Sequence, residues 1–282
     1  MTINPTAKLQ EMFSLEGKVA AISGAGGVLF GAVARGLAEL GVKVVAMDLR
    51  LAEAQKTADD IKARGGDALG LETNVLNPDS VAKARDTILE KYGRVDILIN
   101  GAGGNHPKAQ TNKEAGVFFP DLSVDGIRFA FDLNIMGTVI PSMIFSKVMT
   151  QQKEGMIVNT SSMSADTPLS RGMAYAAAKA GVSNFTKWLA ADMAMNHSPK
   201  IRVNEIRPGF FPTLQNADLI SKTPGILTAT RGSDILGGTP MKRYGKPEEL
   251  IGAIVYLCSP SAGFTTGSSI AIDGGFGSFS GV

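Results

Sequence analysis

The sequence predicts an α/β protein: one doubly wound domain of about seven parallel strands flanked by helices. Three observations carry this. Short β-branched apolar runs alternate with longer amphipathic segments along the chain. A glycine-rich run, S-G-A-G-G-V-L-F-G at 23–31, joins the first apolar run to the first helical segment. Nothing between them and the last residue reads as a linker, a repeat or a low-complexity tract, and 282 residues at 44% hydrophobic suffice for one large core.

Taken in order, residues 1–14 read as an N-terminal extension and 15–282 as the domain. Residues 19–23 form a buried strand, 29–40 a helix and 42–47 the second strand. Residues 51–64 are a helix, stopped by Gly65 and Gly66. Further strands fall at 69–73, 95–100, 156–160, 201–206 and 268–272, with helices at 78–92, 124–149, 172–195 and 247–258 between them. Such alternation needs right-handed helical crossovers between parallel strands. Two stretches, 103–123 and 208–239, are long and irregular. Loops of that length in a compact domain serve as lids or binding loops.

The chemistry is concentrated at Tyr175 and Lys179, thirteen and seventeen residues after Ser162. Positions four apart share a helix face, so the Lys179 ammonium can lie beside the Tyr175 phenol. A free phenol, with a pKa of about 10, is a poor base at neutral pH. A fixed cation beside it is expected to lower that value, giving a residue that exchanges a proton with an alcohol or carbonyl near pH 7. Ser162 is placed to hydrogen-bond the same oxygen.

Ligands of such sheets bind beyond the carboxyl ends of the strands. The glycines at 24, 26 and 27 would let backbone approach a pyrophosphate, which a helix N-terminus attracts. Asp48 ends the second strand; a carboxylate there can accept both ribose hydroxyls of an adenosine and would repel a 2′-phosphate, which favours NAD over NADP. Arg50, two residues on, could neutralise such a phosphate.

Other classes find no support. A net charge of +2 makes no electrostatic case for nucleic acid or an anionic membrane. No apolar run approaches the roughly 20 residues that span a bilayer. The N-terminus lacks the apolar core of a secretory signal. The single cysteine, Cys258, sits in the helix-core text I-V-Y-L-C-S and fits inert packing in a reducing cytoplasm. With two histidines and one cysteine, no zinc site of those ligands is expected.

Together these residues resemble the short-chain dehydrogenase/reductase family from Leu15 onward, which implies a Rossmann-type fold. N-G-A-G at Asn100–Gly103 is similar to that family's N-N-A-G; F-D-L-N-I-M-G carries Asn134; P-G-F-F-P-T runs from Pro208 to Thr213; I-D-G-G follows the last strand. The resemblance implies a catalytic set of Asn134, Ser162, Tyr175 and Lys179. It also implies NAD contacts from Ser23, Gly24, Gly26, Gly27, Val28, Leu29, Asp48, Asn74, Val75, Asn100, Gly101, Ala102, Gly103, Tyr175, Lys179, Pro208, Gly209, Phe211 and Thr213. Within the family, N-G-A-G-G-N-H-P, S-P-K-I-R-V-N and the terminal F-S-G-V resemble the D-mannonate oxidoreductase (fructuronate reductase) group. That implies a small sugar-acid substrate and a homotetramer or dimer. Neighbouring polyol, sorbitol and gluconate 5-dehydrogenases share much of the scaffold.

Candidates for holding a substrate carboxylate and hydroxyls are Asn105, His106, Arg171, Gln215 and Asn216, each of which also reads as a loop or turn former. The sequence departs from the family pattern at Val28 and Phe30, which stand at glycine positions, and at Asn74, where an aspartate is common. Arg207 stands where a small residue is usual and reads as a structural ion-pair partner. A non-catalytic NAD-sensing protein is the alternative of another class. The intact Ser-Tyr-Lys-Asn set argues against it, because a sensor needs no tuned phenol.

Overall fold

A computed structural model describes residues 5–213 and 230–279. Seven parallel strands form one sheet in the order β3-β2-β1-β4-β5-β6-β7. They are β1 (Val19–Ser23), β2 (Lys43–Asp48), β3 (Ala68–Glu72), β4 (Ile97–Asn100), β5 (Gly155–Thr160), β6 (Ile201–Pro208) and β7 (Ser269–Ile272). Among the described residues the α-helices are α1 (Pro5–Phe13), α2 (Val28–Ala38), α3 (Leu51–Ala63), α4 (Pro78–Tyr92), α5 (Val124–Phe131), α6 (Gly137–Gln152), α7 (Met173–Asn196), α8 (Thr230–Gly238) and α9 (Ile251–Cys258).

Strand periodicity divides the core in two. Ala20 and Ile22 of β1, Val44 and Ala46 of β2, and Ile97 and Ile99 of β4 pack with α2, α3 and α9. Their alternates, Ala21, Val45 and Leu98, pack with α4, α6 and α7 on the other face. Burial on both faces explains why these strands read as continuous apolar runs. Strand order reverses between β1 and β4, which opens a crevice at their carboxyl ends.

Four features differ from the sequence reading. Residues 5–13 of the extension are helical, with Pro5 as the first helical residue. The stretch read as one helix at 124–149 is broken by a π-helical turn at Asp132–Met136. The stretch 208–239, read as irregular, contains α8, whose Gly232, Gly237 and Gly238 hide any helical preference. The stretch 103–123 contains three short 3₁₀ turns. One expectation about membranes also needs correcting. The helical stretch Val124–Gln152 contains an 18-residue window of mean hydropathy 1.3, long and apolar enough by length and composition to cross a bilayer. Scattered charges conceal this in a search for unbroken apolar runs. Here it packs in the domain, with Phe145 and Met149 fully buried.

Candidate active site

The crevice is built first from backbone. After β1 the chain turns at Gly24 with φ +70°, and a Cβ there would lie 3.0 Å from Gly101 and from the Ala102 nitrogen. Only glycine adopts this turn and allows this approach without strain. Ser23 Oγ accepts from the Gly101 and Ala102 amides at 3.1 and 3.2 Å, joining the ends of β1 and β4. Helix α2 starts after Gly27 with no side-chain cap, so its first amides, at Val28 and Leu29, are available to an anion.

Asp48 closes the crevice at the end of β2. Its Oδ2 accepts from the Gly26 amide at 3.2 Å, and a Cβ at Gly26 would fall 2.8 Å from that oxygen. Arg50 lies beside it, Nε 3.8 Å from Oδ1. These features fit a dinucleotide: an uncapped helix start for a pyrophosphate and a fixed carboxylate for a ribose. Asn74 spends its carbonyl on the Leu76 amide at 3.0 Å, and Val75 beside it is buried. Asn100 is turned inward, donating to Ser142 Oγ and Asn159 Oδ1 at 2.9 and 2.8 Å, so its part in the crevice falls to the backbone.

Phe30, at a position where the family pattern has glycine, is accommodated. Its ring lies buried under Gly101, where a Cβ would fall 2.4 Å from Phe30 Cγ. The departure at Phe30 is therefore accommodated by the absence of a side chain at Gly101. On the far side, Gly209 packs on Asp273, and the Phe211 ring is buried against Gly245. Pro208 ends β6 and Thr213 is the last described residue before Gln215 and Asn216, which lie outside the described residues.

The catalytic candidates converge between β5, α7 and the π-turn. Ser162 starts the 3₁₀ turn after β5, and its Oγ accepts from Ser164 N and Oγ at 3.1 and 3.0 Å. Tyr175 is half-buried in the first turn of α7. Lys179, 3% exposed, lies one turn on. Its Nζ sits 5.6 Å from the Tyr175 ring centroid and donates to Thr160 O at 2.7 Å. Asn134, in the π-turn, donates to Gly104 O and Ala130 O and accepts from the Gly104 amide. A Cβ at Gly103 would fall 2.9 Å from Asn134 Oδ1 and 3.2 Å from Lys179 Nζ, so Gly103 is the floor where these groups meet.

The electrostatics correct one expectation. Burial raises the Tyr175 phenol above its ordinary value, and its hydrogen bond with Ser162 pulls it partly back. Burial also pushes Lys179 down to about 8, against the pull of Glu205. Burial is the larger influence on Tyr175, so its phenol is not held low in the free protein. Burial likewise pushes the Cys258 thiol up to about 12, as expected of an inert core cysteine.

The substrate candidates divide. Asn105 accepts from the His106 amide, and its Nδ2 would lie 3.3 Å from a Cβ on Gly172, at the start of Tyr175's helix. Arg171 is an ion partner of Glu114, 3.8 Å away, so its guanidinium already faces a carboxylate. His106 Nδ1 accepts from Lys108 N at 3.2 Å, and its ring meets Phe129 edge-on. This is the local loop role, with Nε2 the remaining nitrogen. Arg207 is the ion-pair partner expected, held between Glu205 and Asp166. Glu205 escaped the sequence reading. The signal was a lone carboxylate inside the strand text I-R-V-N-E-I-R-P. Among the described residues no group of three His, Cys, Asp or Glu side chains could hold a metal ion.

The family model for enoyl-(acyl carrier protein) reductase matches residues 30–277. An uncharacterized oxidoreductase, UxuB, of Bacillus subtilis is 42% identical over 276 residues, covering 95% of this chain and 98% of that protein. An uncharacterized oxidoreductase of Haemophilus influenzae is 41% identical over 286 residues, covering 98% and 99%. A crystal structure with bound NAD from Haemophilus influenza, provisionally assigned as a D-mannonate oxidoreductase, matches with a TM-score of 0.89 at 41% identity, covering 95% and 98% of the two chains. A gluconate 5-dehydrogenase from Burkholderia cenocepacia J2315, in complex with NADP and tartrate, matches with a TM-score of 0.84 at 28% identity, covering 96% and 99%.

Proposed function

We propose that this chain, which belongs to the short-chain dehydrogenase/reductase family, is an NAD(H)-dependent enzyme interconverting D-mannonate and D-fructuronate. The observation that carries the reading is the convergence of Tyr175, Lys179, Ser162 and Asn134 beside a glycine crevice that ends in Asp48. The likeness to the NAD-bound structure at 41% identity supports both cofactor and substrate.

Bound NAD(H) would supply or take the hydride. Ser23, Gly24, Gly26 and Gly27 with the α2 start would hold its phosphates, and Asp48 its adenosine ribose. Asp48 at the end of β2 supports NAD over NADP, while the exposed Arg50, 3.8 Å from it, is the group that could meet a 2′-phosphate. Tyr175, a phenol whose proton burial holds more firmly still, gives that proton to the carbonyl oxygen during reduction and takes it back during oxidation. Ser162 polarises that oxygen. Lys179 orients the site through Thr160, and Asn134 holds the π-turn against Gly104. Arg171 and Asn105 flank the start of α7, where a substrate carboxylate would lie. The reading includes a cytoplasmic homo-oligomer, dimer or tetramer. The exposed Met143 of α6 and the exposed Trp188 and Met195 of α7 support assembly.

A gluconate 5-dehydrogenase is the second reading, favoured by the likeness to the Burkholderia enzyme. Initial rates of NADH and NADPH oxidation with D-fructuronate, 5-ketogluconate and fructose separate the two. The proposal expects the highest kcat/KM for fructuronate with NADH and poor use of fructose, which would leave the carboxylate-holding groups unpaired. A preference for 5-ketogluconate, or equal use of fructose, rejects the mannonate assignment.

A further inference from the structure

Glu205 is a buried carboxylate that the reaction above does not use. It lies within β6 and is 1% exposed. Its Oε1 accepts from Ser183 Oγ at 2.9 Å, Arg207 Nε at 2.7 Å and Ser269 Oγ. Its Oε2 is buried without a hydrogen-bond partner among the described residues. The contrast is Asp96, also buried, which accepts the Val19 amide and faces Lys18 and Arg94. Asp96 is a tie between strand starts. Glu205 keeps half its carboxylate dry and unpaired, which is costly unless the charge serves something.

Its surroundings lead to the site. Ser183 lies one turn along α7 from Lys179. Ser161 Oγ lies 2.9 Å from the Lys179 carbonyl and 2.7 Å from Ser183 Oγ, whose single proton goes to Glu205 and which lies 3.2 Å from the same carbonyl. Lys179 Nζ bonds Thr160 O on β5, the strand that pairs with β6 through Asn159 opposite Glu205 and Thr160 opposite Ile206. Two charged groups of opposite sign are thus buried at one strand–helix junction. Among the described residues, the titratable groups that act on Lys179 are Tyr175 on its own helix and Glu205 from β6; β5 and the π-turn present the neutral Thr160 and Asn134. Arg207 faces Glu205 from the other side and is itself held by the exposed Asp166.

We propose that Glu205 is a positioning residue whose carboxylate, held by Ser183 and balanced by Arg207, keeps the Lys179 ammonium charged within the buried site. The inference rests on Lys179 belonging to the active site. The opposing effects of burial and Glu205 on Lys179 agree with it in direction. Arg207 and Asp166 then set how much of the carboxylate's field reaches the lysine.

The test is the protonation midpoint of Lys179 in the free protein, read from its 13Cε chemical shift and assigned by comparison with Lys179→Met. Glu205→Gln keeps acceptor and shape but removes the charge, and should lower the midpoint by about one unit or more. Glu205→Asp should hold it near the unmodified value. Arg207→Gln should raise it, because a competing cation is gone. The alkaline limb of kcat/KM should move with the midpoint in each variant. An unchanged midpoint in Glu205→Gln overturns the proposal. If that variant does not fold, the sign for Arg207→Gln decides: upward supports the proposal, unchanged or downward overturns it. Asp166→Asn, at an exposed position, should give a smaller downward shift, and an upward one counts against the proposal. Turnover retained by Tyr175→Phe would reject the catalytic reading while leaving these titrations to stand on their own.

Discussion

Lys179 pays for its place in stability. Its folded pKa, about 8, lies below the ordinary 10.5 of an unfolded chain. Below pH 8 both states hold the proton and the burial cost stands in full, about 3 kcal/mol on the usual conversion. Between about 8 and 10.5 the folded state sheds the proton first, so the unfolded chain binds more protons and this contribution to stability rises with pH. Lys179→Met should therefore raise the Tm of the cofactor-free protein at pH 7, by an amount equivalent to about 1–3 kcal/mol, while abolishing turnover. Calorimetry at pH 7 and 10 checks it, and the gain should shrink at the higher pH. The same group predicts a pH profile for reduction. Tyr175, raised by burial, stays a proton donor throughout, so kcat/KM should be flat from pH 6 to near 8 and fall above it as Lys179 deprotonates. A fall beginning only above pH 10 would assign the limb to the phenol. The i, i+4 spacing made the Tyr175–Lys179 pairing legible in the sequence. The direction of the phenol's shift was not, because burial depends on the whole fold.

At the scale of elements, the strands were legible because alternate residues are buried on both faces, and helix α4 because Asn77 caps it, Pro78 starts it and Gly93 ends it at φ +73°. The π-turn was not, because the text D-L-N-I-M continues the helical pattern and only the bonds of Asn134 to Ala130 and Gly104 mark it. Nor was the pairing of Phe30 with Gly101, since the two lie far apart in the sequence and only the fold brings them together. That pairing yields a double-mutant prediction. A Cβ at position 101 meets both Phe30 and the Ser23 carbonyl, so Gly101→Ala should cost about 1–3 kcal/mol, an overpacking penalty. In a Phe30→Ala background the cost should fall but not vanish, because the Ser23 carbonyl remains. Urea denaturation of the four proteins measures the coupling, and additive costs would show that Phe30 does not set the size of residue 101.

For the whole molecule, the order of strands places the crevice where β1 and β4 diverge, and the glycine turn, Asp48 and the Tyr175 cluster all fall along the carboxyl end of the sheet. The alternation of elements foretold that arrangement. Which loop residues face the substrate was not legible: turn formers and ligands share the same side chains, as His106 illustrates by capping its own loop. The central claim is that this crevice transfers a proton through Tyr175 while a nicotinamide cofactor exchanges hydride. Tyr175→Phe removes one oxygen and keeps the ring beside Lys179. Measuring its NADH affinity by fluorescence and its kcat with fructuronate tests the claim most directly. The account predicts affinity within about twofold of the unmodified protein and kcat lowered by roughly 10²–10⁴-fold, the size of a lost general acid. Near-normal kcat at neutral pH, with NADH bound as before, would contradict it.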